Sequence, residues 1–228
     1  MSSEPEEVAA RYARRQQPER YSLLRPDVWQ SVQERQRAMV RLFVDLGFTD
    51  LSALRLMEVG CGSGSNLLEL LRMGFVPQNL RGVELLPDRF RQARAVLPTS
   101  LDLFEGDALN MNVPAQSQDI VFVSTVFSSL LDDAFQQRLA DAMWAWVKPG
   151  GGVLWYDFTV NNRRNVDVRG VPLKRIQQLF PEGVVKARRI TLAPPIARAV
   201  TRIEPRLYAV FNSVVPLRTH LLAWVSKP

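Results

Sequence analysis

Leu54-Arg55-Leu56-Met57-Glu58-Val59-Gly60-Cys61-Gly62-Ser63-Gly64 is the stretch that decides the fold. Its first six residues read as a strand, and three glycines in five positions then break it. Asn66 to Met73, with Leu67, Leu68, Leu70 and Leu71, reads as a helix stopped by Gly74. Glycines at a strand-to-helix turn permit positive φ and let a ligand approach the backbone closely. The first helical turn adds unpaired N–H groups. The dinucleotide-binding fingerprint places its last glycine one position later, where this chain has Ser65.

Outward from that turn, strands and helices alternate. Leu80–Leu85, Ser100–Phe104, Asp119–Ser124 and Val153–Phe158 read as further strands. The Asp119 strand is nearly all apolar, as buried parallel strands are. Pro87 and Asp88 open a helix to Val96, and Asp132-Asp133 caps one to Val147. Lys148-Pro149-Gly150-Gly151-Gly152 reads as a turn. Beyond it come a helix at Leu173–Phe180, a strand at Val184–Leu192 and a last strand at His220–Val225. Ahead of the core, Trp29–Leu46 is an amphipathic helix ended near Gly47. The pattern implies a doubly wound α/β sheet of seven strands with right-handed crossovers, binding its ligand at the carboxyl ends of the strands.

With 228 residues, 46% hydrophobic and 23% charged, the chain has the size and composition of one globular domain. One cysteine excludes an intramolecular disulfide, and one histidine beside it argues against a Cys/His zinc cluster. The polar N-terminus lacks a secretory apolar stretch and no apolar run spans a bilayer, so the expected location is cytoplasmic. Charge is uneven. Residues 160–228 hold 13 Lys and Arg against 3 acids, whereas residues 1–159 hold 16 against 20. A solvated basic face explains that surplus as well as an anionic partner does.

The glycine turn and its preceding acid resemble the first motif of class I methyltransferases that use S-adenosylmethionine (SAM). Three later features fall in that family's order: Glu84 ending the second strand, Glu105-Gly106-Asp107-Ala108 after the third, and Lys148-Pro149-Gly150-Gly151 before the fifth. The resemblance covers residues 54–158. It implies a Rossmann-like, mostly parallel sheet with an antiparallel last strand, a helical cap at 1–50, a SAM-binding core at 51–158 and acceptor-side elements at 159–228. It also implies SAM as cofactor, S-adenosylhomocysteine as product, and no metal. Glu84 would accept hydrogen bonds from the ribose hydroxyls, Asp107 would meet the adenine amino group, and the Ala108 N–H would reach the ring. Glu58, Gly60, Cys61, Gly62, Gly64, Asn66, Leu85 and Ser124 would complete the donor site. Tyr12 and Tyr21 fall where similar enzymes close a lid.

The acceptor side is less legible. The chain lacks the Asn-Pro-Pro-aromatic signature of base amino methylation, a Pro-Cys nucleophile, and a catechol-type acid cluster. The segment 157–170, dense in amides and guanidinium groups, suits hydroxyls and anions. Asn161, Asn162, Arg163 and Arg169 are its expected acceptor contacts, joined by Thr125 from the region after the fourth strand. Asp157, ending a strand at the site, is the leading general-base candidate, with His220 the second. The reading is O-methylation of a small-molecule or glycan-type acceptor that is anionic or lipid- or phosphate-linked. RNA or protein methylation and a non-catalytic scaffold are the rivals. Nucleic acid ranks lower because no stacking aromatics lie among the arginines. Ala193–Val215 is basic and amphipathic. It is expected to pack its apolar face on the core, with contact to a membrane surface as the alternative.

Overall fold

A computed structural model describes residues 3–14, 22–161 and 165–228. Seven strands form one sheet: β1 (Leu56–Val59), β2 (Leu80–Glu84), β3 (Asp102–Glu105), β4 (Gln118–Ser124), β5 (Val147–Phe158), β6 (Val184–Leu192) and β7 (Arg218–Ser226). Their order is β3-β2-β1-β4-β5-β7-β6, and only β7 opposes its neighbours. The chain winds outward from β1 to β3, then returns to β4. The reversal opens a crevice between the carboxyl ends of β1 and β4, the usual ligand position in such sheets.

Among the described residues, eight α-helices accompany the sheet: α1 (Glu4–Ala13), α2 (Pro26–Asp45), α3 (Ser65–Met73), α4 (Pro87–Val96), α5 (Asp133–Trp146), α6 (Leu173–Leu179), α7 (Pro194–Ile203) and α8 (Leu207–Ser213). Successive strand residues point to opposite faces. Met57, Val59, Val121, Val123 and Trp155 therefore pack with Leu139 and Met143 of α5 and Ile176 of α6. Leu56, Ile120, Phe122, Leu154 and Tyr156 pack with Met39 and Phe43 of α2, Leu67 of α3 and Ala93 of α4. The expected terminators hold. Gly74 ends α3 at φ +116°, and the Asp132 side chain accepts the Ala134 and Phe135 N–H groups at the head of α5.

Three expectations need correction. The turn at Lys148–Gly152 lies inside β5, as an irregularity. Gln118 aligns with Val147 and Ile120 with Gly152, so the intervening residues bulge out. Lys148 Nζ holds the bulge to both Asp119 carboxylate oxygens, at 2.7 and 2.8 Å. Second, the basic segment after β6 divides into two helices around Glu204-Pro205.

Third, α8 does not lay its apolar stripe on the core. Val210, Phe211 and Val214 are exposed, while Tyr208 and Asn212 are buried. The inward pair is held by Glu34 of α2, which accepts from Tyr208 Oη at 2.9 Å, Asn212 Nδ2 at 2.7 Å and the Thr191 N–H at 3.0 Å. One carboxylate thus ties α2, β6 and α8 together. Glu34→Ala is expected to lower stability by about 2–4 kcal/mol in urea denaturation, since each buried donor left unpaired costs about 1–3 kcal/mol. Glu34→Gln, which keeps one acceptor, should lose less. No loss in either variant would show that α8 is held by something else.

Candidate active site

The turn after β1 is fastened to the next strand. The N–H groups of Gly60 and Cys61 both donate to Val83 O, at 2.9 and 3.0 Å. Gly60 has φ +70°, and a Cβ there would lie 2.5 Å from Val126 Cγ2, so only glycine fits. Gly62, at φ +58°, is different. A Cβ would find only Arg89 Nη1 nearby, at 3.9 Å, so this face of the turn is open to an approaching ligand. Gly64 is the N-cap of α3, at φ +85°.

Glu84 closes the turn from the end of β2. Its carboxylate accepts the Gly62 N–H at 2.7 Å and the Leu86 N–H at 2.9 Å. Each oxygen retains a second lone pair for a ligand hydroxyl. Leu85 follows, half-buried in the core. The Gly106 N–H reaches Glu84 O at 2.8 Å, which brings Asp107 and Ala108 alongside. Asp107 accepts the Leu109 N–H at 3.0 Å, and Ala108 is buried.

Beneath the glycines lies a buried polar chain. Glu58 is wholly buried. Its Oε1 accepts from Asn66 Nδ2 at 2.6 Å, while its Oε2 has no partner. Asn66 Oδ1 accepts from Arg35 Nη2 at 2.8 Å, and Arg35 also pairs with Glu69 at 3.2 Å. Burial pushes the Glu58 carboxyl up to about 8, against the Asn66 hydrogen bond and the Arg35 charge. Burial, then the carboxylates Glu58 and Glu84, raises the Cys61 thiol far above its usual range, which makes it inert as a nucleophile. Arg35 was not among the sequence candidates. Its signal was a charged pair, Glu34-Arg35, within an amphipathic helix.

The other side of the crevice is built by β4 and β5. Ser124 is buried, and Thr125 is exposed at φ +55°, an uncommon conformation for a β-branched residue. Its N–H donates to Tyr156 O at 2.8 Å. Asp157 is 1% exposed, with Oδ2 accepting the Ser128 N–H at 3.0 Å and Oδ1 the Phe158 N–H at 2.9 Å. Burial pushes its carboxyl up to about 7, opposed by these hydrogen bonds.

His220 stacks on Tyr156, ring centroids 5.0 Å apart, beside Arg35, whose guanidinium lies 5.2 Å from the same Tyr156 ring. Burial, then the Arg35 charge, holds the imidazole down at about 4, so it is neutral at pH 7. Asp157 aligns with Leu221 and Phe158 with His220 in the β5–β7 ladder. Asp157 therefore faces Ser128 on one side of the sheet and His220 faces Tyr156 on the other. The two do not act as a pair.

The polar segment after β5 is folded back on itself. Asn161 Oδ1 accepts the Gly170 N–H at 2.7 Å, and the Arg169 N–H donates to Ser128 O at 2.8 Å. The Arg169 guanidinium pairs with Asp133 at the head of α5. Asn162, Arg163 and Tyr21 lie outside the described residues. α1 crosses the same edge. Glu4 Oε1 accepts the Leu131 N–H at 2.7 Å, Arg11 Nη2 donates to Ser129 O at 3.1 Å, and Tyr12 Oη lies 3.2 Å from Ser129 Oγ. The Arg89 guanidinium sits 4.5 Å from the Tyr12 ring centroid, so Tyr12 bridges the loop after β4 and the head of α4. Arg11 and Arg89 were not legible in the sequence, because their partners lie far along the chain. Among the described residues, no cluster of His, Cys, Asp and Glu gathers in a metal-holding arrangement.

Residues 56–151 match the family model described as a methyltransferase domain. A search of curated proteins gives no match. Among solved structures, the chain is similar to a SAM-dependent methyltransferase from Archaeoglobus fulgidus at 13% identity and TM-score 0.61, covering 84% of this chain and 94% of that one. It is also similar to a putative methyltransferase from Haloferax volcanii, solved with the Trm112 activator. There the identity is 18% and the TM-score 0.59, with 89% and 97% of the chains covered. A third is Haemonchus contortus phosphoethanolamine N-methyltransferase 2 with SAM, at 14% identity and TM-score 0.60, covering 85% of this chain and 52% of that one. Across residues 56–151 the chain matches a methyltransferase-domain model, and its sheet has the fold of these SAM-dependent methyltransferases.

The two buried carboxyls predict an unusual pH dependence. Both have folded values above their unfolded ones: Glu58 near 8 against 4.5, Asp157 near 7 against 3.8. Between those limits these two groups hold more protons in the folded than in the unfolded state and so lower stability as pH rises, outweighing His220, whose depressed value of about 4 against 6.5 acts the other way below about pH 6.5. Urea midpoints should drop from pH 5 to pH 8 by on the order of 1–3 kcal/mol of stability. Glu58→Gln should flatten that slope. Stability that rises over the same range would contradict the assignment.

Proposed function

We propose that this chain is a SAM-dependent methyltransferase acting on a hydroxyl of an anionic small-molecule or glycan-type acceptor. The observation that carries the donor half is the Glu84 carboxylate, which grips the Gly62 and Leu86 N–H groups where the carboxyl ends of β1 and β2 meet. The open face at Gly62 and the unpartnered Glu58 Oε2 fit a cationic amino-acid moiety approaching the turn. On this reading Glu84 takes the ribose hydroxyls, Asp107 the adenine amino group, and the Ala108 N–H the ring. Gly60, Cys61, Gly62, Gly64, Glu58 and Asn66 form the floor under the methionine portion, with Leu85 and Ser124 at its sides. When bound, SAM supplies an electrophilic methyl group for in-line displacement, leaving S-adenosylhomocysteine.

The acceptor would enter over Thr125 and the segment 157–170. Asn161, Asn162, Arg163 and Arg169 would orient hydroxyls and anionic groups there, supported by the positive surplus of residues 160–228. Asp157 is sealed beneath Ser128, so we assign it to holding that loop in place. In-line positioning, rather than a strong base, would then supply most of the rate. His220, held neutral under Tyr156 and Arg35, would line the edge.

Two measurements check this. In calorimetric titration, SAM and S-adenosylhomocysteine should bind the wild type, and Glu84→Ala should bind them about 10- to 100-fold more weakly, the worth of charge-assisted hydrogen bonds. A wild type that binds neither would refute the enzyme reading. Once an acceptor is found, Asp157→Asn should lower kcat without moving the pH profile. Loss of an inflection near pH 7 in that variant would make Asp157 the proton acceptor instead.

A further inference from the structure

The apolar stripe of α8 faces solvent, although amphipathic helices normally bury it. Val210 is 61% exposed and Val214 48%, with Phe211 beside them, Val215 just beyond and Ile203 closing α7 at 80%. This outward stripe is not a loose end. Tyr208 and Asn212 are bound to Glu34, and Arg218 Nε donates to Asn212 O at 2.6 Å. The helix is thus fixed with Leu207, Tyr208 and Asn212 inward and Val210, Phe211 and Val214 outward. Clustered exposed apolar side chains mark interaction surfaces.

Charge selects the partner. Arg198, Arg202 and Arg206 border the stripe, and Glu204 is the only acid between Thr191 and Leu217. A second copy meeting this face symmetrically would set the arginines against one another. An anionic surface would not. Position agrees: β6 ends at Leu192, which aligns with Arg218 at the start of β7. α7 and α8 therefore stand at the edge of the sheet where Phe158 aligns with His220, the acceptor side.

We propose that the α7–α8 tip docks peripherally on an anionic lipid bilayer. Its apolar side chains enter the headgroup boundary, and Arg202 and Arg206 meet lipid phosphates. No described helix is long and apolar enough to cross a membrane. Docking does not depend on the acceptor's identity or on SAM binding. It would carry the acceptor edge of the sheet to the bilayer surface.

The test is co-sedimentation of the full chain with phosphatidylcholine vesicles, with and without phosphatidylglycerol. Binding should be about tenfold tighter to the anionic vesicles and weaken as salt rises. The double variants Val210→Ser/Phe211→Ser and Arg202→Gln/Arg206→Gln should each lose about tenfold while keeping the wild-type melting temperature and SAM titration. All four side chains are exposed, so the fold should survive. Absence of binding to anionic vesicles would overturn the proposal, as would equal binding by both variants. So would self-association that Val210→Ser/Phe211→Ser abolishes in a chain that ignores vesicles, because that would make the stripe a protein interface.

Discussion

The structure turns on one carboxylate between two backbone amides. Glu84 joins the Gly62 N–H, from the turn after β1, to the Leu86 N–H at the head of α4. With it in place, the two elements that begin the α/β winding share a single edge. The turn can make that approach only with left-handed backbone at Gly60, Gly62 and Gly64. Val126 packs so close to Gly60 that the loop after β4 is fixed by the same turn. The crevice is therefore not a gap left over from packing. Its two walls are built against each other.

Behind that edge, two adjacent residues of α2 hold two networks that meet where Tyr156 Oη lies 3.0 Å from Thr191 Oγ1. Arg35 links Asn66 and Glu69 on α3 to the Tyr156 ring of β5, and through Asn66 to Glu58. Glu34 reaches the other way, to Thr191, Tyr208 and Asn212. The first network supports the floor under the glycines, and the second orients α8. Burial sets the ionisation on the floor. It raises both the Glu58 carboxyl and the Cys61 thiol.

What could be read from the sequence was local. The strand at Glu58, the glycine turn, the stop at Gly74 and the cap at Asp132 depend on residues a few positions apart, and all four stand in the structure. What could not be read was long-range. An apolar period says that α8 has an apolar face, not which face is covered, and the answer came from Glu34, 174 residues away from Tyr208. Asp157 and His220 both looked available at the ends of neighbouring strands. Only the β5–β7 register reveals that they face opposite sides of the sheet. The bulge at Lys148 likewise depends on Asp119, from another strand. The family resemblance reached the side proposed for the donor because its residues fall in fixed order at the ends of successive strands. The side proposed for the acceptor would draw on α1, the loop after β4 and the residues after β5, and no single stretch of sequence carries it.

Amide hydrogen exchange with and without S-adenosylhomocysteine tests the central claim most directly, because it reads the backbone groups that Glu84 organises. The account predicts slowed exchange at residues 60–65, 84–87 and 106–109, with β6 and α7 unchanged. Protection confined to other segments, or none anywhere at saturating ligand, would contradict a donor site at the glycine turn.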